Sequence, residues 1–145
     1  MDISKKLPTK IPIFPLSNFI VFPDTTVPLN IFEKRYLQMV DDSMTSNRLI
    51  GMIQPRKTSN SKNPDLFDIG CLCKITSFNE TEDGRYIIIL KGITRFKKIT
   101  EVENKKLYRE LNVSYELFDT DKKLDINNFE YSDLKKILFQ LKVLF

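Results

Sequence analysis

Apolar residues are spaced in three different ways along this chain. From residue 10 to residue 46, short apolar runs are cut by prolines and then give way to a helical stripe. Residues 11–14, 19–22 and 26–29 read as short extended pieces. Pro12, Pro15 and Pro28 lack a backbone donor, which confines their strands to edges or ends. Asn30, followed three residues later by Glu33, has the form of a helix capping box. Phe32, Tyr36, Met39, Val40 and Met44 then recur at steps of three and four, which predicts a helix over 33–45 with one apolar face.

From residue 48 to 118 the spacing favours strands. A strand over 49–54 stops at Pro55, and the polar stretch 56–65 reads as a surface loop. Strands over 69–78 and 85–90 are joined by a connection ending in Asp83-Gly84, a hairpin signal. Gly92 marks a bulge or sharp bend before a further strand over 94–100, and 108–118 supplies another. Cys71 and Cys73, two apart on a predicted strand, share one face and read as small core hydrophobes. After a polar linker over 119–128, Tyr131, Leu134, Leu138, Leu141 and Phe145 mark a second helical stripe. Residues 129–145 are therefore expected to begin a helical segment that is cut short, or to pair a homodimer through that helix.

Composition narrows the chemistry. The chain has 145 residues, 41% hydrophobic and 29% charged, the balance of one globular domain. It has no histidine, which removes Ser-His-Asp and Cys-His catalysis and imidazole metal sites. Two cysteines are too few for an all-cysteine metal cage, so no metal or cofactor is expected. Two S-x-x-K strings, at 59–62 and 132–135, stand without the partner motifs that such nucleophiles require. No enzyme is expected. The net charge of +4 is carried by lysine pairs interspersed with acidic residues, the pattern of a solvated surface. Nucleic acid is accordingly not the expected partner, although RNA binding stands as an alternative. The apolar stretch after the polar residues 1–9 is too broken for export or membrane insertion, which points to a cytoplasmic protein with no membrane contact.

Several strings together resemble a known family. Ile13-Phe14-Pro15-Leu16, Phe22-Pro23, Pro28-Leu29 and Ile31-Phe32-Glu33-x-Arg35-Tyr36 occur in the order seen in the N-terminal domain of Lon proteases. Gly70, Asp83-Gly84-Arg85, Gly92 and Arg95-Phe96 continue that pattern over residues 10–118. The resemblance implies an α+β, mainly β fold: a six-stranded PUA-like pseudo-barrel with one packed helix, followed by the start of a helical subdomain. It also implies a role in recognising unfolded or hydrophobic protein segments, without the ATPase and Ser-Lys peptidase parts.

Two sets of residues are singled out. Phe22, Pro23, Val27 and Pro28 form a candidate apolar lip for peptide binding; the alternative is that Phe22 and Val27 are core. Glu33, Arg35, Tyr36, Gly92 and Arg95 are structural candidates. Arg95, in an apolar strand, needs an acidic partner and is expected either to pair with Glu33 or to face solvent while Glu33 caps the helix.

Overall fold

The computed structural model describes residues 7–17, 20–56 and 63–118. In chain order the elements are β1 (Lys10–Pro15), β2 (Thr26–Ile31), α1 (Lys34–Met44), β3 (Leu49–Ile53), β4 (Ile69–Glu80), β5 (Tyr86–Val102) and β6 (Glu110–Ser114), with a short 3-10 turn at Glu116–Phe118. The strands form one six-stranded sheet in the order β2-β5-β4-β3-β1-β6, and β6 pairs again with β5. That last pairing closes β5, β4, β3, β1 and β6 into a ring. β2 is added outside it, against the first half of β5. Only β1 and β3 run parallel, a geometry that needs a crossover, which β2 and α1 supply.

Alternation along the strands creates two cores. Ile13 of β1, Ile53 of β3, Leu72 of β4, Phe96 of β5 and Leu111 of β6 belong to one cluster. These residues come from every strand of the ring, so they fill its interior. Their alternate neighbours Phe14, Met52, Cys71 and Cys73 form a second cluster with Tyr36, Met39 and Val40 of α1. The helix therefore seals the side of these strands that faces away from the ring interior. As expected for core hydrophobes, Cys71 and Cys73 are both buried and share that face.

The edge reading fails for β1, which is flanked by β3 and β6, and only the strand-end placement of Pro15 holds. Pro12 lies where β6 is the neighbour in register, and Pro15 is the final residue of the strand. Gly92 also sits at an irregularity as expected. Leu72 pairs with Thr94 and Cys73 with Gly92, so Ile93 is the extra residue of a bulge. The strand does not break there, however. Residues 86–102 form one long, bent β5 where the sequence predicts two strands.

Other expectations are corrected. Residues 20–22 form no strand, because a local turn claims their hydrogen bonds: Phe22 N–H donates to Thr25 Oγ1 at 3.1 Å, and Thr25 Oγ1 donates to Phe22 C=O at 2.8 Å. No capping box forms, since Asn30 is committed to β2 opposite Ile87. The N-cap is Glu33, whose side chain makes no cap bond. Phe32 is not on the buried helix face; it is 67% exposed, one residue beyond β2. The strand predicted over 108–118 is trimmed to Glu110–Ser114 and followed by the 3-10 turn. The helix predicted over 129–145 and the linker before it lie outside the described residues.

Phe96 fixes the centre of the ring. A Cβ added at Gly70 would stand 2.5 Å from Phe96 Cζ and 2.5 Å from the Met52 carbonyl oxygen. The Gly70→Ala protein is therefore expected to lose about 1–3 kcal/mol of stability in chemical denaturation, the usual cost of overpacking. A denaturation midpoint equal to that of the wild type would show that the ring interior is looser than described.

Candidate functional site

The candidate lip is built on one close backbone contact. Gly92 N–H donates to the Thr25 carbonyl at 2.8 Å, and Asp24 N–H donates to the Gly92 carbonyl at 2.8 Å. The Phe22 carbonyl oxygen lies 2.0 Å from where a Cβ on residue 92 would stand, so a glycine is required there for steric reasons. Asp24 takes a left-handed conformation, φ 66°, which aspartate tolerates better than most residues. These contacts fix the turn that delivers the chain into β2.

The same bonding sets which way β2 faces. Because Thr25 bonds to Gly92, alternation directs the backbone groups of Val27, Leu29 and Ile31 toward β5 and those of Thr26, Pro28 and Asn30 away from it. Pro28 thus loses no ladder bond, and it interrupts the row of donors on the outer edge. Of the four lip candidates, Phe22 and Pro23 are half-buried beside the turn. Val27 is half-buried against the helix-side core, and Pro28 is exposed. The four lie within one short segment, but Val27 and Pro28, adjacent on β2, face opposite sides of the sheet.

Beside Pro28, the outer face of β5 exposes Ile87 at 42% and Ile89 at 38%. Sequence reasoning missed these two. The continuous run Tyr86-Ile87-Ile88-Ile89-Leu90 reads as buried on both faces. The available signal was that Arg85 and Lys91 occupy the same alternate positions as Ile87 and Ile89.

The structural candidates act around α1. Tyr36 stacks on Phe14 with ring centroids 4.1 Å apart and 18° between planes, joining the two most distinctive sequence strings. The Arg35 guanidinium lies 4.7 Å from the Tyr36 ring centroid and is also bonded to Glu33 at 3.1 Å. Burial pushes the Tyr36 phenol above its ordinary range. The expected Glu33–Arg95 pair does not form. Glu33 sits beyond Ile31, which faces Tyr86 at the start of β5, whereas Arg95 lies past the bulge opposite Cys71. Arg95 instead places its guanidinium 4.6 Å from the Phe118 ring centroid.

Two adjacent carboxylates of α1 hold the helix to β5 and to the segment before β6. Tyr86 Oη donates to Asp41 at 2.7 Å, and Tyr108 Oη donates to Asp42 at 2.7 Å. The bond to Asp41 is the main reason the Tyr86 phenol is raised, to about 12, while burial first and Asp42 second raise that of Tyr108. Elsewhere, a cavity of about 700 Å³ lies over residues 101–109 and Asn63. Its charged groups serve local structure: Arg109 bonds Glu101 at 2.6 Å, and Lys106 meets the buried Glu110 at 3.1 Å.

The described residues form a mainly β domain, a ring of five strands with β2 added beside it and one helix packed against it. The chain belongs to the family described as the ATP-dependent protease La (LON) substrate-binding domain, matched over residues 10–143. The Lon protease of Desulfosudis oleivorans is 34% identical over 95 residues, covering 63% of this chain and 12% of that protein. The Lon protease of Endomicrobium trichonymphae is 24% identical over 143 residues, covering 97% of this chain and 17% of that protein. The chain therefore spans only a minor part of the curated relatives it matches. The crystal structure of a Lon N-terminal domain protein from Xanthomonas campestris aligns with a TM-score of 0.62 at 26% identity, over 74% of this chain and 60% of that one. The N-terminal domain of a Mycobacterium avium complex Lon protease shares the fold, with a TM-score of 0.58 at 14% identity over 73% of this chain and 54% of that one.

The raised Tyr86 phenol carries a pH signature. Its neutral form is favoured in the folded state, so its contribution is complete below the ordinary value of 10.0 and is lost as pH climbs toward about 12. Stability measured by urea denaturation is expected to fall across that window. Tyr86→Phe should make the fall shallower without abolishing it, because Tyr108 and Tyr115 are shifted the same way. An unchanged slope in Tyr86→Phe would contradict the Asp41 bond.

Proposed function

We propose that this chain is a non-catalytic protein-binding module that recognises unfolded or hydrophobic segments of protein substrates. Membership of a substrate-binding domain family is the observation that carries the reading. The placement of an apolar, proline-bordered segment at the edge of the fold supports it. In this reading Phe22, Pro23 and Pro28 make the contact, and Val27 anchors the segment from below. An extended substrate would meet side chains and not backbone, since Pro28 breaks the edge that a strand would need for pairing.

Several positive charges are already engaged. Arg35, Arg56, Arg85, Lys98, Lys106 and Arg109 all stand within ion-pair distance of carboxylates. This favours protein over nucleic acid as partner. The proposed location of the module is the cytoplasm; separately, no described helix is long and apolar enough to cross a membrane.

Titration with a permanently unfolded, fluorescently labelled model polypeptide tests the reading. Binding is expected for the wild type, and Phe22→Ser should weaken it severalfold while leaving the melting temperature within a few degrees. Equal affinity in a folded Phe22→Ser protein removes the lip, and absence of binding by the wild type overturns the function.

A further inference from the structure

The outer face of β2, β5 and β4 places three rows of residues side by side. Thr26, Lys91 and Lys74 form the first row, and Pro28, Ile89 and Ser77 the second. Asn30, Ile87 and Asn79 form the third. Ile87 and Ile89 thus make a short apolar stripe along β5, with Pro28 beside it and the exposed Phe32 beyond Asn30. At the other end of the stripe stand two lysines directly opposite each other.

That lysine pair is unfavourable on its own terms, because like charges facing each other across strands destabilise a sheet. Among the described residues, no carboxylate lies within ion-pair distance of Lys74 or Lys91. An exposed apolar stripe ending in two uncompensated cations is complementary to an apolar segment that ends in an anion. We propose that this face binds an extended apolar segment of a substrate protein, with an acidic side chain flanking that segment held between Lys74 and Lys91. The inference rests on the protein-binding function above and specifies the chemistry of the segment. Contact with Ile87, Ile89, Pro28 and Phe32 supplies affinity, and the lysines set direction and register. Lys91 is two residues from Ile89, about 7 Å along the strand, so the acid falls about two residues beyond the last apolar anchor.

Fluorescence anisotropy with the full chain tests this. The probes are acetylated, amidated peptides of about eight residues, long enough to span the rows, with an alternating Leu/Val run and either Asp or Asn two residues past it. The Asp peptide is expected to bind about fivefold more tightly than its Asn twin at low salt, a gap of the size that surface ion pairs supply. The gap should vanish in the Lys74→Gln/Lys91→Gln protein while the affinity of the Asn twin stays the same. These are exposed positions, and a cooperative melting curve with a midpoint at or above that of the wild type confirms folding. Equal binding of the two peptides by the wild type, or a gap that survives in the double variant, overturns the proposal. So does an Asn peptide with a free C-terminus that gains as much as the Asp peptide, because the charge recognised would then be a chain terminus. Absence of binding by both peptides also overturns it. The unfolded model polypeptide then tells whether the protein-binding function falls as well.

Discussion

The fold depends on one strand serving two neighbours along a single edge. β5 is long enough for its first half to hold β2 and its second half to hold β6, while β4 runs along its other side. A straight strand could not close the ring and carry β2 at the same time. The bulge at Ile93 bends β5 between the two tasks. Gly92, just before the bulge, lets the Phe22 carbonyl approach closer than any side chain would allow. Closure of the ring follows from the bend and the β5–β6 pairing, and placement of the apolar edge from the backbone contact at Gly92.

α1 then decides which face of the sheet remains open. Tyr36 stacked on Phe14 and the phenols of Tyr86 and Tyr108 on Asp41 and Asp42 fasten the helix to one side. With Met39 and Val40 buried beneath it, that side is consumed as core. Among the described residues no helix covers the opposite face of β2 and β5, where Pro28, Ile87 and Ile89 are exposed. The fold thus separates a sealed side, which stabilises, from an open side, on which the proposed binding face lies.

How much of this could be read from the sequence follows from what each signal reports. The period of α1 was legible because Tyr36, Met39 and Val40 are spaced for burial on one face, and β1, β3 and β4 were legible from their apolar runs. Phe32 was misassigned because it sits at a helical spacing from Tyr36 but belongs to the exit of β2. The capping signal of Asn30 and Glu33 was local, and the ladder between β2 and β5 overrode it. Arg95 was expected to pair with Glu33 or to face solvent, and spacing along the chain could not reveal Phe118 as its neighbour. The exposed stripe of Ile87 and Ile89 was hidden inside an unbroken apolar run, since hydrophobicity alone cannot distinguish a strand covered on both faces from one left open on a binding face. Lys74 and Lys91 could be recognised as a pair only through the register of β4 and β5.

Native-state hydrogen exchange on a Gly92→Ala protein addresses the central contact most directly. If that approach positions β2, the amides of Val27, Leu29 and Ile31, which face β5, should exchange much faster than in the wild type, while those of β3 and β4 keep their protection. Unaltered protection of Val27, Leu29 and Ile31 would mean that β2 is held by something other than the contact between Phe22 and Gly92.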